Sequence, residues 1–246
     1  MEGMQLARSA VILAGGTGRR MGSGVEKSLL DLCGRPLIRR IADTLLQTSQ
    51  EVVVVARNPE QVARLRLVIP EARFACDPVK GFGPVAGLAA GFMAARGEYT
   101  AAVGCDLPFL NPKVIERLFE LCQGFDAAVP MEENGVKETM HSVYRTEAAR
   151  GAFSRSLELG ERKIRAPLER LKVRLVSVKD LRSIDPDLLT FYNLNRPEDL
   201  EKARCICTSE CPVSNKDKTS WSSSLESALE GGVDRVDHYD EEHQFC

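Results

Sequence analysis

Ser9-Ala10-Val11-Ile12-Leu13-Ala14-Gly15-Gly16-Thr17-Gly18-Arg19-Arg20-Met21-Gly22 (residues 9–22) is an apolar run that stops abruptly in glycines and cations. The apolar part, Ser9–Ala14, reads as a buried strand and the remainder as a loop. Glycines there let successive backbone N–H groups approach an anion, forming a nest. Arg19, and Lys27 five residues beyond the stretch, add charge-assisted donors for phosphate oxygens. The plainer alternative is a strand-to-helix turn with solvated cations. So many glycines and cations at the C-terminal end of a strand favour a site, because open α/β sheets bind ligands there.

Strand-like and helix-like segments alternate downstream. Arg35-Pro36 opens a helix with Leu37, Ile38, Ile41, Leu45 and Leu46 on one face. Glu51–Ala56 carries four successive valines, the pattern of a parallel strand buried on both faces. Pro59–Val68 reads as a helix, Arg73–Cys76 as a strand, Pro84–Ala95 as a helix, Tyr99–Gly104 as a strand and Pro112–Cys122 as a helix. The rhythm loosens after Phe125–Pro130. Met131–Lys137 is a polar loop, His141–Tyr144 a strand, and Glu147–Leu157 and Ile164–Leu171 are helices. Val173–Val178 and Phe191–Asn195 finish the sheet, and Pro197–Ala203 is a last surface helix. This alternation predicts one Rossmann-like α/β domain over residues 1–204, a three-layer, mostly parallel sheet with helices on both faces.

Beyond Arg204 the composition shifts to Ser, Cys, Asp and Glu without sustained periodicity, so residues 205–246 read as a flexible tail. Its Cys205-x-Cys207-x-x-x-Cys211 spacing is not that of a standard zinc module. The tail holds Lys216, Lys218 and Arg235 against nine acidic residues, which leaves residues 1–204 at +4 within a total of −2. That surplus suits phosphate-bearing small molecules and is too weak to argue for nucleic acid. No apolar run approaches the roughly 20 residues that span a bilayer, so a cytoplasmic enzyme without membrane contact is expected. Cys33, Cys76, Cys105 and Cys122 are scattered and read as reduced, mostly buried thiols.

The loop is not a Walker A motif, since no Gly-Lys-Ser/Thr ends it. Nor is it an NAD fingerprint. Its last spacing is wrong, and the second strand ends in Val55-Ala56-Arg57 without the acid that holds a ribose. Asp106, in Gly104-Cys105-Asp106-Leu107-Pro108, is a lone carboxylate at a strand end on the loop's side of the sheet. It is a natural Mg²⁺ ligand, since that ion is held by one or two carboxylates plus phosphates and waters. A helix-capping Asp106 is the alternative, but Asn111-Pro112 supplies its own cap. Asp77 also stands at a strand end, where a carboxylate accepts from both N1–H and the exocyclic amine of guanine; Asp77-Pro78 is otherwise a turn initiator.

As an ordered set, Leu13–Gly16, Arg20-Met21-Gly22 with Lys27, Gly83–Leu88, Cys105–Pro108 and Asn193–Leu200 resemble the molybdenum cofactor guanylyltransferase family, the MobA-like nucleotidyltransferases. Gly160–Arg165 is similar to the family's Gly-x-Arg segment, and the likeness runs over residues 9–204. The resemblance implies a nucleotide-diphospho-sugar transferase-like fold. It further implies a Mg²⁺-dependent enzyme that transfers GMP from GTP to the terminal phosphate of molybdopterin and releases pyrophosphate. Leu13, Ala14, Gly15 and Gly16 would line the nucleotide, Lys27 would hold phosphates, Asp77 would face the base or ribose, and Asp106 would carry the metal. Arg19 and Lys27 would stabilise charge growing on pyrophosphate, and Asn193 and Asn195 would lie toward the acceptor. Transient contact with molybdoenzymes or other cofactor-biosynthesis proteins also fits this role.

Two departures stand out: Glu26, where the family usually has Asp, and His141-Ser142 in place of His-Pro. His141 is then either acceptor-binding or structural. The competing readings keep the fold and change the pair, with CTP and a pterin cofactor, or a sugar or lactyl phosphate acceptor. A non-catalytic nucleotide-binding protein is a further alternative.

Overall fold

The computed structural model describes residues 7–16, 26–79, 81–210 and 244–245. At its centre lies β1 (Arg8–Leu13), flanked in parallel by β4 (Glu51–Ala56) and β6 (Tyr99–Gly104). A two-stranded ribbon, β2 (Asp31–Leu32) with β3 (Arg35–Pro36), lies apart from this sheet. Outside β4 runs β5 (Arg73–Cys76), also parallel. On the other side the direction reverses: β8 (His141–Arg145) pairs antiparallel with β6, and β7 (Ala127–Met131) antiparallel with β8. Parallel to β7 comes β9 (Val173–Ser177), and β10 (Gln244–Phe245) adds to the β5 edge. The order is β10-β5-β4-β1-β6-β8-β7-β9.

Alternate residues of a strand face opposite sides, and β1 sorts the core accordingly. Ala10 and Ile12 join a cluster with α1 (Leu37–Leu45), α2 (Pro59–Val68) and α4 (Pro112–Cys122) through Ile41, Leu65 and Leu118. Val11 joins Val53, Ala75 and Ala94 on the other face. There α3 (Pro84–Ala94) packs against α5 (Thr146–Glu158), with the Phe92 ring 5.2 Å from Tyr144 and 5.1 Å from Phe153. A Cβ on Gly91 would sit 2.5 Å from Val11 Cγ1, so α3 lies as close to the sheet as it does because that residue has no side chain.

Three local expectations are corrected. Phe191–Asn195 is not a strand: a 3-10 turn, Leu189–Phe191, follows Leu188 at φ 54°, and only Leu194 N–H reaches the sheet end, at Asp106 O. The helix after Arg35 begins at Leu37 because Arg35 and Pro36 pair with Asp31 and Leu32 instead. The last helix, α7 (Pro197–Glu210), continues past Ala203, since Cys207 is buried against Leu32, Leu37 and Leu194 and extends its apolar stripe. The division expected between Arg204 and Cys205 therefore falls inside a helix. The tail expectation for residues 211–243 and 246 lies outside the described residues.

Cys105 and Cys122 are free, and burial pushes both thiols up to about 12. Cys33 is also free. Cys76, expected to be reduced, is disulfide-bonded; it ends β5, which pairs on its outer side with β10. No described helix is long and apolar enough to cross a membrane. A short helix, α6 (Arg165–Leu168), completes the described elements between α5 and β9.

Candidate active site

A cleft of about 720 Å³ opens along the C-terminal ends of β1, β4 and β6, where parallel sheets place ligands. Leu13, Gly15, Gly16, Lys27, Asp77, Asp106, Asn193 and Asn195 all line it. Ala14 does not. It is 2% exposed, its N–H donates to Val55 O at 2.9 Å, and its carbonyl accepts from Gln61 Nε2 at 3.0 Å. Its backbone joins the loop to the sheet instead of facing the cleft. Arg19 lies outside the described residues.

Lys27 opens a 3-10 turn, Lys27–Leu29, and its Nζ lies 3.1 Å from Asp106 Oδ2. No described residue donates to Asp106 Oδ1, which rests over Gly104 where a Cβ would collide with it. Glycine at the end of β6 is thus what lets the carboxylate fold back over its own strand. Asp77 combines both of its sequence readings. Its Oδ1 accepts from Val79 N–H at 3.0 Å, a turn bond, while the carboxyl faces the cleft and burial raises its pKa.

Asn193 and Asn195 reach the rim because the Leu194 N–H···Asp106 O bond, 2.9 Å, ties their segment to the end of β6. Asp199 Oδ2 accepts from the N–H groups of Asn195 and Arg196, turning the chain into α7. His141 resolves as structural. It is fully buried, its ring stacks on Phe191 at 4.6 Å, Nε2 lies 3.3 Å from Thr190 Oγ1, and burial pushes its pKa down to about 3.

The sequence reading missed Lys137, Glu138, Thr139 and Met140, which form the opposite wall. The signal for them is topological. Because β8 runs antiparallel to β6, with His141 opposite Val103, the residues just before β8 must lie beside the end of β6. Gly104 N–H donates to Met140 O accordingly.

The Glu138 carboxyl is pushed up from 4.5 to about 7 by burial, by its hydrogen bond to Glu132 and that residue's charge, and by the charge of Asp106. A carboxyl whose folded-state pKa is raised keeps its proton longer in the folded chain than in the unfolded one. Stability contributed at that position is therefore lost as pH rises from 4.5 toward 7. Glu138→Gln is expected to be relatively more stable at pH 8 than at pH 5 when compared with wild type in urea unfolding. An equal difference at both values would show that the carboxyl is not ionising against those neighbours.

A cleft of this size at parallel strand ends, with an ammonium paired to a carboxylate on its wall, defines a nucleotide-handling α/β protein. Residues 10–175 match the model of the MobA-like NTP transferase domain. The chain belongs to that family.

A probable molybdenum cofactor guanylyltransferase of Methanosarcina mazei is 36% identical over 200 residues, covering 79% of this chain and 88% of the relative. One from Natronomonas pharaonis is 38% identical, covering 80% and 96%. Among solved structures, molybdopterin-guanine dinucleotide biosynthesis protein A of Archaeoglobus fulgidus superposes with a TM-score of 0.71 at 32% identity, covering 82% of this chain and 99% of that one. The 4-diphosphocytidyl-2C-methyl-D-erythritol synthase of Anaerococcus prevotii, at 13% identity and a TM-score of 0.62, shares the fold. That fold is the nucleotide-diphospho-sugar transferase fold.

Proposed function

We propose that the protein transfers GMP from GTP to the terminal phosphate of molybdopterin and releases pyrophosphate. The observation that carries this reading is the Lys27–Asp106 pair at the strand ends, which lines one cleft together with Asn193 and Asn195. The 36–38% identity to relatives named for that transfer supports the choice of substrates.

Asp106 fits a magnesium ion. Among the described residues nothing donates to its Oδ1, and a hard carboxylate oxygen with phosphates and waters is the donor set that ion prefers. Among the described residues no group of three or more His, Cys, Asp or Glu side chains gathers as a metal site, so the remaining ligands would come from substrate and solvent. Bound there, magnesium would supply charge neutralisation on the triphosphate.

The chain's own residues have the other tasks. Lys27 holds phosphate oxygens and stabilises the charge that grows on the leaving pyrophosphate. Arg19 is assigned the same role on sequence grounds. Gly15 and Gly16 leave backbone room for the nucleotide, and a Cβ on Gly16 would meet nothing within 4 Å. Asp77 offers its free oxygen to the two guanine donors, while Asn193 and Asn195 orient the acceptor. The acceptor phosphate attacks the α-phosphorus, the bond to the β-phosphate oxygen breaks, and no protein nucleophile takes part. Positioning and charge stabilisation do most of the work in such transfers.

A thermal-shift series with GTP, CTP, ATP and UTP in excess magnesium tests the base assignment. At a concentration of 100 Kd a ligand bound only by the folded state adds about 2.7 kcal/mol, so GTP is expected to raise the midpoint most. Equal shifts from GTP and CTP would replace the guanylyl reading with a cytidylyl one.

A further inference from the structure

We propose that Gln61, on the first turn of α2 and outside the cleft, is a positioning residue that fastens both ends of the glycine-rich segment and thereby holds Lys27 against Asp106. This rests on the nucleotidyl-transfer reading of the cleft. Gln61 is fully buried, and every polar atom of its amide is used. Its Nε2 donates to Ala14 O at 3.0 Å, where the segment begins, and to Glu26 Oε1 at 2.5 Å, where it ends. Its Oε1 accepts from Arg57 N–H at 2.8 Å, and its own N–H donates to Asn58 Oδ1 at 2.9 Å, so the capped start of α2 fixes the side chain from behind. A primary amide is the group that offers two donors and an acceptor in one plane.

Glu26 is gripped from the same side. Arg57 Nη2 and Arg64 Nη2 lie 3.2 and 2.7 Å from its Oε2, and Ser28 Oγ donates to Oε1 at 3.3 Å. Lys27 is the next residue, so displacing Glu26 displaces the ammonium that faces Asp106. Gln61 itself is not among the residues that line the cleft, which makes its effect indirect.

Two substitutions separate positioning from plain stability. Gln61→Glu keeps the shape and turns both donations into repulsions, and Gln61→Met removes the polarity without adding charge should the first variant fail to fold. The probe is magnesium tripolyphosphate, which needs neither base nor acceptor. Both variants are expected to bind it on the order of tenfold more weakly, the usual weight of a hydrogen bond to a charged group. They are also expected to lower kcat for GTP-dependent pyrophosphate release.

The decisive measurement is the double substitution with Lys27→Met. If Gln61 acts through Lys27, then Gln61→Met costs little once Lys27 is gone, and the two losses are strongly non-additive. Losses that multiply to within about twofold, or unchanged tripolyphosphate affinity in folded Gln61→Met, overturn the proposal. Wild-type protein that binds tripolyphosphate yet transfers no GMP would overturn the guanylyl assignment alone and leave the Gln61 comparison readable. Wild-type protein that binds no tripolyphosphate would overturn both.

Discussion

Asp106→Asn is expected to lower pyrophosphate release about 10²–10³-fold, the loss seen when one charge-stabilising group is removed from a reaction site, with the fold retained. The carboxamide keeps the volume that rests over Gly104 and still accepts from Lys27, so packing is unchanged. Stability barely depends on the pair. The Asp106 side chain is 28% exposed, and a partly solvated ion pair contributes at most about 1 kcal/mol. What the variant loses is a full negative charge at the place where, in the proposed reaction, a divalent cation and a polyphosphate would meet. Turnover near wild type at saturating magnesium would show that Asp106 does not hold the metal.

Lys27→Met is expected to cost roughly 2–4 kcal/mol in kcat/KM, divided between weaker triphosphate binding and a slower chemical step. The lysine side chain is 13% exposed, and in the proposed reaction one ammonium would serve both states, first holding bound phosphates and then the charge that develops on pyrophosphate. Methionine keeps the aliphatic stem, so the packing along it survives. The carboxylate of Asp106, left without its partner, faces open cleft and can be solvated, which limits the penalty to stability. A variant with unchanged kcat/KM would remove the phosphate role from this end of the glycine-rich segment.

Most of the parallel half of the sheet was legible because its signals are local. The four valines of β4, Asn58 and Pro59 opening α2, and Asn111 and Pro112 opening α4 mark their own elements, and the expected and observed limits agree. The cleft residues at strand ends were legible for a related reason: in a parallel sheet, a polar residue just after an apolar run lies on the ligand side.

The failures share a different cause. Phe191–Asn195 carries strand-like residues, but its course is set by Leu188, by one bond to Asp106 and by the Asp199 carboxylate. Ala14 was expected by resemblance to line the nucleotide, yet its backbone groups are taken by Val55 and Gln61. Gln61 drew no notice in the sequence, because the two acceptors of its amide stand 47 and 35 positions away in the chain. Lys137–Met140 could be placed only once the reversal of β8 was known. Long-range pairings of this kind leave no periodic trace in sequence.

That reversal also orders the making of the molecule. Both neighbours of β1 have been synthesised once Gly104 is added, and domains fold largely from the N-terminal end during synthesis. The cleft residues from Gly15 to Asp106 are therefore made before the wall at Lys137–Met140 and the rim at Asn193–Asn195. Every residue assigned to the donor precedes every residue assigned to the acceptor, so the order of synthesis follows the order of the proposed reaction, donor side before acceptor side.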